Sequence, residues 1–485
     1  MLFNTLNFSF FLPVTFILYW SVSKKSLNIQ NLIVLSASYF FYACWDWRFL
    51  FLLIFSTFLD YFSGIKIEES GNQKTKKRWF WFSILMNLSF LGFFKYYNFF
   101  IDSFTELISL IGFKVNFWTL KVLLPVGISF YTFHGLSYMI DIYKGRIKSE
   151  KNLISYSVFV CFFPLLVAGP IERASHLLPQ INFKRNFDIE KAINGLKQIL
   201  WGLFKKVVIA DNCATIVNQM FDNYQIMGGG NLALGAVLFS VQVYCDFSGY
   251  SDIALGVARL FGFELMKNFN YPFLSRSITE FWRRWHISLS TWFNDYLFTP
   301  MIIKWRNSGT EGIYVALLIT FLLSGLWHGA GWNFIIYGLL HGILLVFEMY
   351  TKKRRKSFLS RFNKTFISVI AQVLTFSFVT FAFIFFRAEN VNHAILYIKQ
   401  MCSGLTYIWG YFQVGGKIYY DIGLLFSVLI LLFFYIEWKA RDYDFAFENF
   451  GLKWNRFVRL IIYYLIVFFL FWYSGEEKQF IYFQF

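Results

Sequence analysis

The sequence predicts an all-α, polytopic membrane protein, and three observations carry that prediction. Apolar runs close to twenty residues long recur along most of the chain, which is the length a helix needs to cross a hydrocarbon core of about 30 Å. Charged residues make up 15% of the 485 positions, against 57% hydrophobic and 23% aromatic, and mean hydropathy is +0.50; a soluble domain carries about 25% charged residues. The basic residues gather in short gaps between the apolar runs, at Lys24-Lys25, Lys74 to Arg78, Lys144 to Lys151 and Lys352 to Lys364. Cytoplasmic loops have this character under the positive-inside rule.

No strand pattern, internal repeat or low-complexity tract is visible, and in lipid only helices or closed barrels satisfy the backbone. The expectation is one membrane domain over residues 1–485, built from about 11–13 spanning or re-entrant helices with amphipathic helices at the interface. Peripheral spans are expected over 1–116, a motif-bearing core over 117–400 and further spans over 401–485. A net charge of +17, taken alone, would suggest nucleic acid, but its placement in loops argues against that partner. The five cysteines (Cys44, Cys161, Cys213, Cys245, Cys402) lack disulfide or metal-ligand spacing and read as apolar filler.

The expected spans are Phe8–Val22, Leu27–Trp45, Phe49–Ile67, Trp79–Phe100, Phe117–Tyr143, Leu153–Val167, Leu232–Phe263, Gly312–Trp327, Gly331–Tyr350, Phe366–Phe386, Ile418–Trp438 and Phe457–Tyr473. The first has no basic n-region and no small-residue cleavage site before Lys24, so it reads as a span rather than a removed signal. Lys24-Lys25 puts the first loop inside, and alternation then puts Lys74 to Arg78 and Lys144 to Lys151 inside as well. Counting back from Lys352 to Lys364 makes Gly312–Trp327 run outward and Gly331–Tyr350 inward.

Within Leu124–Arg146, Pro125 and Gly127 predict a kinked span, with His134 and Asp141 as structural intramembrane polar residues. Phe187–Asn223 is amphipathic, carries Lys205-Lys206, and either lies flat on the membrane or crosses it at a tilt. Met227-Gly-Gly-Gly-Asn231 is a turn signal. The following span contains YCDFSGYSD, in which Asp246 and Asp252 must face a pocket, pair with a base or be protonated. Pairing with Arg283 or Arg284 and a role in a proton relay or substrate site both remain open.

The stretch from Phe281 to Gly342 concentrates the candidate chemistry, holding three of the six histidines: His286, His328 and His341. It opens with FWRRWHISLSTWFNDYLF, expected as one interfacial helix. Phe281, Trp282, Trp285, Leu289, Trp292, Phe293 and Tyr296 share its apolar face, and Arg283, Ser290 and Asn294 lie opposite. His286 falls at the border, either a satisfied surface histidine or a group facing a polar cavity. Gly312–Trp327 spans about 24 Å of helix, short of a hydrocarbon core, and His328-Gly-Ala-Gly331 should break it. His328 is therefore expected at a helix break below the outer face, where irregular backbone is tolerated only against protein or a cavity. Asn333 follows the break. His341, about 15 Å further along the next helix, is either a buried helix–helix hydrogen bond or part of the same site.

There is no Walker loop, GxSxG, HExxH or paired CxxC. Imidazoles, carboxylates and hydroxyls point to proton transfer, with no metal expected.

At these residues the sequence resembles the membrane-bound O-acyltransferase (MBOAT) family, in its alginate O-acetylation branch. The motifs are YCDFSGYSDIALG, NFNYPFLSRSITEFWRRWHISLSTWFNDYLF, GLWHGAGWNFIIYGLLHG and IFFRAEN, joined by LLPVGISFYTFHGLSYMIDIYKG and CFFPLLVAGPIERASHLLPQ, covering Leu124 to Glu389. The resemblance implies a helical bundle around a central tunnel. It implies His328, the histidine of WHG, as catalytic and His286, the histidine of RWH, as the second histidine near the tunnel. It departs from that branch at Phe298-Thr-Pro-Met-Ile-Ile303, where Tyr-Ile-Pro-Leu-Gly-Gly is common, and at His134, where Gln is common.

The function so implied is transfer of a short acyl group, acetyl first among them, from a cytoplasmic thioester such as acetyl-CoA to an extracytoplasmic hydroxyl, with no bound cofactor. A hydroxyl is a weak nucleophile and needs a base with a pKa near neutrality, which imidazole supplies. His328 would be that base and His286 would orient the donor or relay the proton. Trp282, Trp285, Trp327 and Trp332 would exclude water. Trp327, Trp285, Ser290, Asn333, Asp246, Asp252 and His341 are the candidate substrate contacts. Expected partners are membrane lipid, a polysaccharide acceptor and an extracytoplasmic acyltransferase or esterase-like protein, in the bacterial cytoplasmic (inner) membrane. Two alternatives stand beside this: D-alanyl transfer from a carrier protein to a cell-wall polymer, and a proton-coupled transporter using Asp246, Asp252 and the histidines.

Overall fold

The computed structural model describes residues 1–112, 123–166, 169–403, 423–449, 454–475, 478 and 480–481. Among them there are helices, turns and loops and no strand. Six helices among the described residues are long and apolar enough to cross a membrane: Leu27–Glu69, Gln73–Leu110, Gly229–Leu260, Arg306–His328, Trp332–Leu359 and Lys364–Arg387. The chain divides into two compact units, one of Met1–Gly195 with Ala254–Met266, the other of Leu196–Ile253 with Lys267–Phe485.

In the first unit, α1 (Leu6–Ser21) is capped by Thr5, whose side chain accepts from the Phe8 N–H. The next two expected spans form a single element, α2 (Leu27–Glu69), bent where Asp46 leaves helical geometry at φ −157°, ψ 109°. The Asp46 carboxylate accepts the Arg48 N–H at 3.0 Å, so the bend is the N-cap of the second half. α3 (Gln73–Leu91) runs through a π turn, Gly92–Tyr96, into α4 (Tyr97–Leu110). The expected span Phe117–Tyr143 begins outside the described residues. Its C-terminal part is α5 (Ile128–Tyr143). Pro125 and Gly127 precede that helix instead of kinking it. Gly127 sits at φ 75°, and a Cβ there would lie 2.3 Å from the Leu166 carbonyl oxygen, so the helix starts where only glycine fits.

Asn152 caps α6 (Leu153–Cys161), which is followed by α7 (Phe163–Leu166) and α8 (Ala174–Asn182). His134 joins these elements: its Nε2 accepts the Glu172 N–H at 3.1 Å. The Glu172 carboxylate in turn accepts the Met266 N–H at 2.5 Å and meets His176 Nδ1 at 2.7 Å. Asp141 pairs with Arg146 at 3.0 Å.

The unit boundary falls inside α9 (Ile189–Leu203), after Gly195. A π turn, Phe204–Ala210, connects α9 to α10 (Asp211–Asp222). A π turn shifts the phase of the helix, and here both Lys205 and Lys206 end up buried. The glycines after Met227 do not all form a turn, because α11 (Gly229–Leu260) already begins at the second of them.

Then come α12 (Ile278–Trp282), α13 (Ile287–Phe293) and α14 (Thr299–Lys304). The long pair α15 (Gly309–His328) and α16 (Trp332–Leu359) follows, then α17 (Lys364–Arg387) and α18 (Val391–Ser403), and finally α19 (Leu424–Lys439) and α20 (Arg456–Trp472). At 20 residues, α15 is about 30 Å long, so the span expected to be short reaches full length by starting three residues earlier and ending one later, at His328. It packs on α16 through glycines. A Cβ on Gly325 would lie 2.2 Å from the Phe334 carbonyl oxygen, and one on Gly338 would lie 2.1 Å from that of Phe321.

Candidate active site

All of the candidate side chains lie in the second unit. His328 is the last residue of α15, and the chain leaves the helix in extended geometry at Gly329 and Gly331. A Cβ on Gly329 would lie 2.2 Å from the Phe334 ring, so any larger residue at the break would have to displace that ring. Asn333 Nδ2 donates to the carbonyls of Phe385 (3.2 Å) and Ala388 (2.8 Å), tying the start of α16 to the end of α17. His328 is 2% exposed. Its ring centroid lies 5.0 Å from Trp327, 5.4 Å from Phe386, 5.9 Å from Tyr337 and 6.4 Å from His286.

The stretch from Phe281 to Phe298 is not one interfacial helix. It breaks at His286, which adopts the left-handed conformation, φ 44° and ψ 54°. That geometry disfavours a non-glycine residue by about 1–2 kcal/mol, and a second segment holds it in place. The Asn270 N–H donates to the Arg284 carbonyl at 2.9 Å and the Ile287 N–H to the Asn268 carbonyl at 2.8 Å. Asn268 Oδ1 lies 3.0 Å from His286 Nδ1 and accepts from the Ser288 hydroxyl at 2.9 Å. Instead of bordering the membrane surface, His286 is fully buried, edge-on to Phe247 at 4.7 Å and 5.7 Å from Trp327.

The start of α12 is fixed by Glu348 of α16, whose carboxylate accepts the N–H groups of Ile278 (2.8 Å) and Thr279 (3.0 Å) and the Thr279 hydroxyl (2.7 Å). Trp282 Nε1 donates to His341 Nδ1 at 3.2 Å. The His341 ring lies 4.8 Å from Tyr337, which in turn touches His328. Trp285 is buried against Phe281 at 5.4 Å, and the Ser290 hydroxyl donates back to the Trp285 carbonyl at 3.3 Å. Trp282, Trp285 and Trp327 are buried, but Trp332 is 55% exposed and does not join that wall.

Asp246 and Asp252 do not pair with Arg283 or Arg284; Arg284 instead meets Glu280 at 2.8 Å. Asp252 pairs with Lys205 at 2.5 Å and accepts from Gln198 at 2.9 Å. Asp246 pairs with Lys206 at 2.6 Å, and Lys206 also holds Asp211 at 2.9 Å. Among the described residues no group of three or more His, Cys, Asp or Glu is arranged to hold a metal ion.

A family profile described as "MBOAT, membrane-bound O-acyltransferase family" matches residues 143–389, a stretch that includes His286, His328 and His341. The chain belongs to that family. It is 38% identical over 437 residues to the probable alginate O-acetylase AlgI of Pseudomonas aeruginosa, covering 90% of this chain and 81% of that protein. It is 37% identical over 438 residues to the peptidoglycan O-acetyltransferase of Helicobacter pylori, covering 83% and 80%. Teichoic acid D-alanyltransferase of Bacillus subtilis is 31% identical over 278 residues, covering 55% of this chain and 70% of that one. The protein is thus a multi-pass acyltransferase of the bacterial cytoplasmic membrane, in a family whose acyl donors are thioesters.

Of the residues singled out in the acyltransferase from sequence, His328, His286, Trp327 and Trp285 fall in one aromatic cluster, and His341 reaches it through Tyr337. Asn333 ties helices together beside His328. Asp246, Asp252 and Ser290 are engaged with protein partners. Nothing in the spacing of the chain marks Asn268 or Glu348. Asn268 belonged to a quoted motif, NFNYP, but nothing in the spacing pairs it with a histidine 18 residues later.

Proposed function

We propose that this acyltransferase moves an acetyl group from acetyl-CoA, supplied from the cytoplasm, to a hydroxyl of an extracytoplasmic polysaccharide or of a partner protein that passes it on. The observation that carries this reading is the pair of buried imidazoles, His328 and His286, 6.4 Å apart between ring centroids and walled by aromatic rings. The activities named for the alginate and peptidoglycan relatives, both O-acetylations, support acetyl as the group moved.

In the proposed reaction His328 accepts the proton of the acceptor hydroxyl as its oxygen attacks the thioester carbonyl. The tetrahedral adduct collapses, the C–S bond breaks, and the departing thiolate takes up the proton from imidazolium. The products are an O-acetyl ester, free thiol and neutral histidine. His286 orients the thioester or relays the proton. Buried Trp282, Trp285 and Trp327 keep water from the thioester, which would otherwise be hydrolysed.

The donor is tested by offering the purified protein labelled acetyl-CoA and, separately, a D-alanyl-charged carrier protein. Acetyl transfer with no D-alanyl transfer supports the proposal, and the reverse replaces it with the D-alanyl reading. The acceptor is tested by mass spectrometry of surface polymers from cells with and without the gene. Loss of O-acetyl groups from one polymer is the expected result, and unchanged acetylation would refute it.

A further inference from the structure

We propose that Asn268 is a positioning residue that holds His286 as the Nδ1–H tautomer, leaving Nε2 as the ring nitrogen able to accept a proton at the acyl-transfer site. The inference rests on the role given to His286 above and adds the group that sets its chemistry.

The neighbours of the Asn268 amide identify which of its atoms is the oxygen. The Ser288 backbone N–H, which can only donate, points at Oδ1 at 3.4 Å, and the Ser288 hydroxyl donates to the same atom at 2.9 Å. On the other side Nδ2 donates to the Ser251 hydroxyl at 3.2 Å. These partners fix the amide orientation, so the atom 3.0 Å from His286 Nδ1 is an acceptor. A neutral ring protonated on Nε2 would set two lone pairs against each other at that distance. A ring protonated on Nδ1 makes a hydrogen bond.

The arrangement has little freedom to relax. Asn268, His286 and Ser288 are 1%, 0% and 0% exposed. The backbone of Asn268 also accepts the Ile287 N–H at 2.8 Å, so one residue secures both the left-handed turn and the ring it carries. Phe247 and Phe269 pack around the ring, Trp327 lies beyond, and His328 is 6.4 Å away. A tautomer set this way needs no charged partner, which suits a site walled by aromatic groups. Removing the hydrogen-bond partner that orients a metal-bound histidine typically costs about 10–100-fold in activity, and a comparable loss is expected here.

The test uses the full-length purified protein. Ring-nitrogen ¹⁵N spectra of histidine-labelled wild type should show His286, assigned by its loss in His286→Ala, with a protonated Nδ1 and an unprotonated Nε2. Asn268→Ala should mix the tautomers and lower kcat by about 10–100-fold while KM for the thioester moves less than about twofold. Asn268→Asp keeps an oxygen acceptor and should recover most of the lost kcat. A wild-type spectrum with the proton on Nε2 overturns the proposal, as does an Asn268→Ala protein with wild-type kcat. So does an Asn268→Asp protein no more active than Asn268→Ala. A fully active His286→Ala protein instead overturns the catalytic reading of His286, and the tautomer spectrum still decides what Asn268 does to the ring. If Asn268→Ala does not fold, the wild-type spectrum and Asn268→Asp carry the decision.

Discussion

Glu348 and Thr279 are joined twice: the carboxylate accepts both the backbone N–H of Thr279, at 3.0 Å, and its hydroxyl, at 2.7 Å. With the Ile278 N–H also bound, one side chain of α16 holds the first two N–H groups of α12, beside the N-cap Ser277 that accepts the Glu280 N–H, and anchors the segment that carries His286. Glu348→Ala leaves these donors without their acceptor, and we expect a loss of about 2–4 kcal/mol. Glu348→Gln, which keeps one oxygen, should lose less. Thermal unfolding of the purified variants in detergent measures the order, and equal stability of Glu348→Ala and wild type would refute the anchoring role.

The glycine seam between α15 and α16 makes a second prediction. Gly325→Ala puts a methyl 2.2 Å from the Phe334 carbonyl oxygen, so the helices must separate close to His328. The expected effect is about 1–3 kcal/mol of destabilisation and a lower transfer rate. Gly71, whose added Cβ would meet nothing within 4 Å, is the control, and Gly71→Ala should behave as wild type in both assays.

Lys206 binds two carboxylates, Asp246 and Asp211, and is 1% exposed. Lys206→Met leaves both acids without their cation, which we expect to destabilise by about 3–5 kcal/mol. Adding Asp246→Asn removes one of the stranded charges, so the double variant should be more stable than Lys206→Met alone. A double-mutant cycle on unfolding temperature checks this, and simple additivity would contradict it.

His176, outside the spanning helices, gives a pH dependence. The Glu172 carboxylate beside it raises the His176 pKa above 6.5. A group raised on folding stabilises fully below its unfolded pKa, and that stabilisation is lost as pH climbs through the folded value. The unfolding temperature of wild type should therefore exceed that of His176→Asn most clearly below about pH 6.5 and approach it in more alkaline buffer. A gap that widens with rising pH would contradict the assignment.

The helical spans were legible because lipid forces regular helices, so hydropathy alone located α2, α11, α15 and α17 to within a few residues, whereas α16 continues past the expected end at Tyr350 to Leu359. The break at His328 was legible for the same reason, since two glycines in three residues cannot continue a helix. The break at His286 was not. Its local pattern is that of an amphipathic helix, and what overrides it is pairing with Asn268 and Asn270, which sequence spacing does not reveal. The partners of Asp246 and Asp252 were missed because Lys205 and Lys206 stand on a stretch whose amphipathic pattern reads as a surface helix, and its pairing with α11 is a tertiary contact that spacing does not reveal.

The most direct measurement is acetyl transfer from labelled acetyl-CoA by purified His328→Ala protein whose unfolding temperature matches wild type. A base removed from the proton-transfer step should lower turnover by about 10²–10⁴-fold, with donor binding retained. Turnover within a few-fold of wild type in that folded variant would contradict the account.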